Sequence, residues 1–234
     1  KGDERPTHFA CIFDKGSYTF RNDLYPDYKA NRDEPPEDLR PQFPLVREAS
    51  IAFACHALEI EGYEADDLIA TYARQAAAKG ARVTIVSSDK DLMQLVTDKI
   101  TMLDTMKNKT LGIDEVYEKF GVGPELVVDV QSLAGDSTDN VPGAPGIGVK
   151  TAAQLLGEYG SVETLLERAE EIKQPKRRQN LIDFADQVRI SKKLVQLDEN
   201  VPVTVPVEDL AVCDPDPKTL IDFLEKMEFR TITR

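Results

Sequence analysis

The hydrophobic positions in the first half of the chain form short continuous runs that alternate with stretches of helical periodicity. Three β-favouring apolar runs, each followed directly by an aspartate, lie at residues 7–13, 81–88 and 99–103. Such runs are typical of strands buried on both faces of a parallel sheet. Amphipathic spacing predicts helices over 43–60 and 66–79. Strands that alternate with helices predict an α/β fold.

From about residue 114 onward the pattern favours many short helices, which glycine and proline residues separate. They are predicted over 114–120, 124–134, 149–157, 161–170 and 176–196. A β-like, proline-spaced segment at 200–210 precedes a last predicted helix at 217–228. We therefore predict two parts, an α/β core over residues 1–113 and a helical subdomain over residues 114–234.

The composition fits a folded protein and limits its partners. Hydrophobic residues make up 41% of the 234 residues, which is enough for a buried core. No apolar run approaches the roughly 18–20 residues that a membrane span needs, so we expect no membrane partner. The three cysteines are far apart and indicate reduced thiols. The net charge of −13 argues against a simple basic nucleic-acid binder, unless the acids are concentrated in one place.

Eight carboxylates fall into four groups near predicted strand ends and helix starts. They are Asp14; Glu64, Asp66 and Asp67; Asp89 and Asp91; and Asp136 and Asp139. Ligands of parallel α/β sheets bind at the carboxyl ends of strands, so we expect these groups to meet in one crevice. Crowded carboxylates raise one another's pKa and require cations. Oxygen donors with few His or Cys residues favour Mg²⁺ or Mn²⁺ over Zn²⁺.

Each acidic group also has another interpretation. Asp66 and Asp67 suit the first turn of a helix, and Asp89 suits a helix cap. A D-x-D sequence after an apolar strand is also typical of aspartate-nucleophile phosphohydrolases, in which the first aspartate is phosphorylated beside Mg²⁺. Lys90 and Leu92 fit that motif poorly, and the phosphohydrolase stays open as an alternative.

The glycine-rich stretch at residues 143–152 predicts a tight turn that leads into a helix. It is not a P-loop, because Val149 separates Gly148 from Lys150. Gly146 and Gly148 allow the backbone to approach a ligand closely, and N–H groups at a helix start can hold phosphate. A simple turn between two helices has the same composition.

Two segments carry local positive charge in this acidic chain. Residues 173–193 have a net charge of +5, and Lys176, Arg177 and Arg178 within them suit contacts with a phosphate backbone. The segment 19–42 interleaves cations and aromatic rings that suit phosphates and bases: Arg21, Tyr25, Tyr28, Lys29 and Arg32. A solvated helix face and an ordinary surface loop are the alternatives.

Five motifs occur in the order found in 5′ nucleases. They are YPDYKANR (25–32), EGYEADD (61–67), SSDKDLMQL (87–95), GDSTDNVPG (135–143) and GIGVKTA (146–152). On these motifs the chain resembles the 5′→3′ exonuclease (flap endonuclease) domain of bacterial DNA polymerase I along nearly its whole length. That family opens with a strand ending in Asp-Gly, whose aspartate ligates metal. No such segment opens this sequence, so we expect an N-terminally truncated domain.

The resemblance implies a Rossmann-like (PIN-like) parallel sheet core, an arch over residues 19–42 and a C-terminal helical subdomain with a helix–hairpin–helix at 140–157. It also implies two or more Mg²⁺ or Mn²⁺ ions. Asp14, Glu64 and Asp66 match the ligands of the first ion. Asp66 would also bridge to a second ion, held with Asp89, Asp91 and Asp139, while Asp67 and Asp136 match nearby ligands.

The resemblance further implies how DNA is held and cut. Lys29 and Arg32 match cations that contact the scissile phosphate and the 5′ strand. Gly146, Gly148 and Lys150 match a hairpin that grips the duplex, with a possible K⁺. The implied function is hydrolysis of 5′ flaps or nicked duplex DNA, beside polymerase domains of one parent chain, in the bacterial cytoplasm at the nucleoid. A non-catalytic duplex-binding module and the phosphohydrolase are the alternatives.

Overall fold

The computed structural model describes residues 5–232 and has a mixed α/β fold. Its strands are β1 (Ala10–Ile12), β2 (His56–Leu58), β3 (Val83–Val86), β4 (Ile100–Asp104) and β5 (Lys109–Leu111). Its helices are α1 (Phe20–Leu24), α2 (Gln42–Ala52), α3 (Ala65–Ala78), α4 (Ile113–Phe120), α5 (Val127–Ala134), α6 (Val149–Tyr159), α7 (Val162–Glu167), α8 (Pro175–Asp183), α9 (Ala185–Val195) and α10 (Pro217–Lys226).

The strands form two hydrogen-bonded groups. β1 pairs with β2 in parallel, and β3 pairs with β4 in parallel, which confirms the predicted parallel α/β core. β5 adds an antiparallel edge to β4, and no ladder joins β1 to β3 within residues 5–232. The prediction that the strands are buried on both faces is wrong for β3, since Val86 is 57% exposed.

Three predicted elements differ from the structure. The helix predicted over 43–60 ends at Ala52, because Ala54 has a φ of 57° and residues 56–58 pair with β1 instead. The helix predicted over 176–196 breaks at Phe184 into α8 and α9. The segment 200–210 forms no ladder, and its neighbour Ala211 makes only an isolated antiparallel bridge to His8.

One continuous core joins the sheet to the C-terminal helices. Ile100 on β4, Val116 on α4 and Leu133 on α5 are all fully buried in it. Leu165 on α7 and Leu181 on α8 extend the same cluster. The predicted α/β and helical parts therefore pack against each other through shared apolar contacts, and the site lies on that junction.

The segment predicted as an arch is folded onto the rest of the protein by one buried arginine. Arg21, in α1, is 1% exposed and forms a bidentate ion pair with the fully buried Asp67, with both N–O distances at 2.7 Å. Further N–H groups of its guanidinium donate to the carbonyl of Leu194, in the last turn of α9, at 2.8 Å and to that of Gln196, just beyond α9, at 3.1 Å. The arginine thus joins three separate parts of the chain.

Two predictions on these residues are wrong for the same reason. Arg21 does not contact DNA, because its guanidinium is buried and fully paired. Asp67 is not a metal ligand, because both carboxylate oxygens accept from Arg21 and also from the backbone N–H groups of Glu64 and Asp198. Asp67 follows Asp66 in the sequence, but consecutive residues of a helix point in different directions, and Asp67 points into the protein interior.

We expect Arg21→Met to lower the free energy of unfolding by about 3–5 kcal/mol, because it leaves the Asp67 carboxylate buried without its partner. Urea unfolding measures the effect. Arg168→Met is the matched control: its bidentate pair with Glu171 is exposed to solvent, so a much smaller loss is expected. The double variant Arg21→Met/Asp67→Leu should recover part of the loss. Equal effects of the two single arginine variants would contradict this account.

Candidate metal and DNA-binding site

The N-terminus of α3 and the end of β1 bring three of the predicted carboxylates to one edge. Glu64 is the N-cap residue of α3, and Asp66 lies in its first turn. Asp14, two residues beyond β1, accepts from the backbone N–H of Ala65 at 2.7 Å. The helix dipole favours negative charge at this end, so the same residues stabilise the helix and gather oxygens.

Asp89 and Asp91 lie on the turn after β3. Asp89 is exposed and is the N-cap of a 3₁₀ helix over residues 90–95, and its Oδ1 accepts from the N–H of Asp91 at 2.9 Å. The structural interpretation of Asp89 as a cap is therefore correct. It does not compete with a binding role, because the carboxylate remains open to solvent.

Asp136 and Asp139 lie on a closed loop between α5 and α6. The backbone of Asp136 pairs with Val141 in both directions, at 2.9 and 2.7 Å, which closes the loop. The turn around residues 25–32 docks on this loop, since the N–H of Lys29 donates to the carbonyl of Asp139 at 3.0 Å. The Asn140 amide donates to the carbonyl of Asp27 at 2.6 Å.

Four predicted ligands line one small cavity: Glu64, Asp66, Asp91 and Asp139. Burial and the nearby carboxylates of Asp89 and Glu64 raise the pKa of Asp66 to about 7. Burial and the charge of Asp89 raise the pKa of Asp91 to about 6. Burial is the largest cause of both shifts, and repulsion from Asp89 adds to each of them.

Cations from the 25–32 turn face the same carboxylates. The Nζ of Lys29 lies 2.6 Å from Glu64 Oε1 and 3.6 Å from Asp139 Oδ2. Arg32 pairs with Asp139 at 2.6 Å and keeps about half of its side chain exposed. The turn therefore supplies positive charge to the cavity and leaves Arg32 accessible at its rim.

Asp136 pairs with Lys90, a residue for which the sequence analysis predicted no role and which it named only as a poor fit to the phosphohydrolase motif. Lys90 lies 2.5 Å from Asp136 Oδ2. Burial alone would raise the pKa of Asp136, but Lys90 and the N–H of Thr138 outweigh it and hold that pKa below its ordinary value. The position of Lys90 between two site aspartates was the available signal for its role.

Tyr28 is a correction among the predicted DNA contacts. Its ring is 5% exposed and packs with Val141, Leu194 and Val195, so it is not available to stack on bases. Its hydroxyl instead lies 3.3 Å from Glu64 Oε2 and 3.4 Å from Asp139 Oδ2. Tyr25 is half-buried against the same small cluster.

The carboxylate oxygens at the site are the donors that hard divalent cations prefer, but their side chains are not gathered around one point. Within residues 5–232, no three His, Cys, Asp or Glu side chains are close enough together to hold an ion. The four cavity-lining groups offer only carboxylate oxygens, and two of them have pKa values raised by burial and crowding. The donors therefore suit hard divalent cations in chemistry, while Glu64 and Asp139 are paired with Lys29 and Arg32 in this structure.

The predicted hairpin lies between α5 and α6. Gly135 and Gly143 both have positive φ, and a Cβ on Gly143 would lie 2.4 Å from the backbone nitrogen of Gly135, so only glycine allows this contact. The helix before the turn is α5, which ends at Ala134, and the helix after it is α6. The two helices and the turn together span 127–159. The predicted range 140–157 therefore contains the turn and most of α6, but not the first helix.

The remaining predicted DNA contacts are on the surface. Gly146, Gly148 and Lys150 are exposed at the turn and the start of α6. Lys176 is exposed on α8, and Arg177 and Arg178 are half-buried there. The amide of Asn180, also on α8, donates to the carbonyl of Pro145 at 2.7 Å, so the cationic helix and the turn adjoin.

Comparisons with known proteins agree with this architecture. Residues 1–121 match the family described as 5′-3′ exonuclease, N-terminal resolvase-like domain, and residues 122–218 match 5′-3′ exonuclease, C-terminal SAM fold. The chain belongs to the 5′-3′ exonuclease family. The predicted resemblance, fold class and nuclease assignment are confirmed at this level.

Relatives of this 5′-3′ exonuclease chain cover its whole length. DNA polymerase I of Rhizobium leguminosarum is 58% identical over 229 residues, which are 98% of this chain and 22% of the relative. The 5′-3′ exonuclease of Bacillus subtilis (strain 168) is 39% identical, over 98% of this chain and 78% of the relative. The chain thus spans about a fifth of the polymerase relative.

A solved structure shares the fold. The bacteriophage T5 flap endonuclease in a complex with DNA and metal ions has a TM-score of 0.70 and 26% identity, over 92% of this chain and 82% of that chain. The families and relatives named above are described as exonucleases, a DNA polymerase and a flap endonuclease, not as phosphohydrolases. In residues 5–232, no helix has the length and apolar character to cross a membrane.

We expect the stability of the 5′-3′ exonuclease chain in EDTA to fall as pH rises from about 4 to 7. The raised pKa values mean that the folded state holds protons on Asp66 and Asp91 more tightly than the unfolded chain, so ionisation disfavours folding across this window. Thermal unfolding across this pH range measures the slope.

Asp66→Asn should flatten that slope, because it removes the more strongly shifted group. Asp222→Asn, at an exposed position on α10, is the control and should leave the slope unchanged. If the slope is the same in all three proteins, the pKa of Asp66 is not raised in the folded state.

Proposed function

We propose that the chain is a structure-specific 5′ nuclease that hydrolyses DNA phosphodiesters at 5′ flaps and 5′ ends. The observation that carries the proposal is that Glu64, Asp66, Asp91 and Asp139 line the same cavity, with Lys29 and Arg32 facing it. Family membership and a structural relative bound to DNA and metal ions support the same activity.

The cofactor of the proposed reaction is Mg²⁺ or Mn²⁺, two or more ions per chain. Asp14, Glu64 and Asp66 would hold one, and Asp66 would share a second with Asp89, Asp91 and Asp139. Asp136 lies near this second group and is held by Lys90. When bound, the ions supply an activated water and neutralise charge on the phosphodiester and its leaving oxygen.

Lys29 and Arg32 have a second role in this proposal. Their positive charges face the cavity from one side, within ion-pair distance of Glu64 and Asp139. Release of these carboxylates leaves both cations beside the position of a phosphate. A fixed positive charge at that place stabilises the negative charge that grows during phosphoryl transfer.

The DNA-binding surface of the proposal extends from the turn at residues 143–148 to α8. Gly146, Gly148 and Lys150 would hold the duplex backbone, with K⁺ as a possible ion at the turn. Lys176, Arg177 and Arg178 would extend the contact along the phosphates. The exposed residues at the start of α6 and the adjoining cations of α8 support this assignment.

The setting of the activity is proposed from the polymerase relatives. The substrate would be a 5′ flap or a nicked duplex, and polymerase domains of the same parent chain would fill the gap. The activity would belong to replication and repair at the nucleoid, in the bacterial cytoplasm. We also propose the division into an α/β core at 1–113 and a helical DNA-binding part at 114–234. Residues 1–4, 233 and 234 lie outside the described residues.

Asp89→Asn tests the metal assignment. Asn caps a helix as well as Asp does, so the fold should persist while the negative charge is lost. We expect Mg²⁺-dependent cleavage of a labelled 5′-flap duplex to fall about 100-fold or more, since even an outer partner of a metal ligand contributes about 10- to 100-fold. Binding of the same duplex in EDTA should stay within a few-fold.

The control for Asp89→Asn is Asp222→Asn, which should cleave like the unmodified chain. Near-full turnover by Asp89→Asn would refute the metal assignment. Flap binding without cleavage at any Mg²⁺ concentration by the unmodified chain would favour a non-catalytic duplex-binding module. Hydrolysis of a phosphomonoester in place of the flap would favour a phosphohydrolase.

Lys29→Met separates the two roles of its lysine. Without the competing ammonium group on Glu64, Mn²⁺ should bind more tightly in a calorimetric titration, whereas flap cleavage should fall. Lys226→Met is the control, because Lys226 forms a pair of similar length, 2.7 Å, with Glu48, and neither residue lines the cavity. Weaker Mn²⁺ binding by Lys29→Met would contradict the counter-ion role.

A further inference from the structure

Among the described residues, the carboxylate of Asp91 accepts one hydrogen bond, and its donor comes from the helical part of the protein. Its Oδ1 accepts from Nε2 of Gln131, on α5, at 2.6 Å. Its backbone is fixed separately, because the N–H donates to Asp89 and the carbonyl accepts from the Gln94 amide at 2.9 Å. The backbone contacts place the residue, and Gln131 sets the direction of its carboxylate.

Gln131 lies in an environment that otherwise suits an apolar residue. Its side chain is 3% exposed, and its helix neighbours Val130 and Leu133 are fully buried in the core. Its Oε1 is buried and has no hydrogen-bond partner among the described residues. A methionine of similar size would fill this position without leaving a buried polar atom unsatisfied.

The orientation of the amide follows from the charge of Asp91. An ionised carboxylate only accepts hydrogen bonds, so Nε2 must face Asp91 and Oε1 must face away. The amide thus makes a short, charge-assisted bond on one side and leaves its oxygen unpaired on the other. The contact with Asp91 is the interaction that accounts for a polar residue at position 131.

We propose that Gln131 is a positioning residue that holds the Asp91 carboxylate in the orientation in which it ligates a divalent ion. The inference rests on the proposed function and adds to it a residue that none of the motifs contains. Sequence reasoning had no signal for Gln131, because its position in the helix is that of a core residue.

The test compares Gln131→Met with Ser132→Ala in the full chain. Ser132 is the next residue on α5, is equally buried and donates to the carbonyl of Asp129 at 2.8 Å, but it does not contact Asp91. The readouts are Mn²⁺ binding followed by electron paramagnetic resonance, the Mg²⁺ dependence of flap cleavage and the temperature of unfolding. Mn²⁺ alone is the binding probe.

We expect Gln131→Met to weaken Mn²⁺ binding about tenfold or more, in the range found for outer partners of metal ligands. Cleavage should fall by a similar factor at limiting Mg²⁺ and recover at saturating Mg²⁺, with an unchanged KM for flap DNA. The unfolding temperature should stay the same or rise, because an unpaired buried oxygen is removed. Ser132→Ala should keep the Mn²⁺ affinity of the unmodified chain.

Two results would overturn the positioning role while leaving the proposed function intact. One is a Gln131→Met protein whose Mn²⁺ affinity and Mg²⁺ dependence equal those of Ser132→Ala. The other is a loss of folding in Gln131→Met and also in Gln131→Leu, which would make the role structural. An unmodified chain that neither binds Mn²⁺ nor cleaves a flap would refute the proposed function, and this inference with it.

Discussion

The buried pair between Arg21 and Asp67 is the interaction on which the arrangement of the site depends. It fixes the N-terminus of α3, and through the carbonyls of Leu194 and Gln196 it joins α1 to the end of α9. Because it anchors α1, the following turn with Lys29 and Arg32 comes to lie against the carboxylates. A buried pair gains little net stability by itself, but loss of either partner leaves an uncompensated charge. The pair therefore specifies the position of the turn more than it adds stability.

The second constraint is the repulsion among the carboxylates themselves. Burial and then the charge of Asp89 raise the pKa values of Asp66 and Asp91, whereas hydrogen bonds from Lys90 and from the N–H of Thr138 lower the pKa of Asp136 despite its burial. The site thus combines acids that are directly paired with a lysine, such as Glu64 and Asp136, with acids whose ionised form is disfavoured, namely Asp66 and Asp91. A cation bound beside Asp66 and Asp91 would favour their ionised forms, and these two groups therefore favour cation binding.

The sequence was a good guide to the elements that depend on local pattern and a poor one to those that depend on partners. The parallel strands, α3 and the placement of acids at strand ends and helix starts follow from periodicity and capping, which act over a few residues. Strand β2 was missed because its apolar residues also fit the helical spacing of α2, and only pairing with β1 decides between the two. Arg21 and Tyr28 were predicted to contact DNA and Asp67 to lie near the metal ions, because residue type does not reveal which face of a helix or turn is buried. Gln131 could not be found at all, since its partner is 40 residues away in the sequence.

The net charge of −13 no longer argues against nucleic acid once the acids are placed. Glu64 and Asp139 pair with Lys29 and Arg32 at the cavity, whereas the turn at 143–148 contains no acidic residue. That face and α8 carry Lys150, Lys176 and the neighbouring arginines. Attraction of phosphate depends on the potential near the contact, because charges more than about 10 Å apart are screened at ordinary salt. An acidic protein can therefore bind a phosphate backbone, provided that its acids are enclosed with cations and its exposed lysines and arginines are grouped.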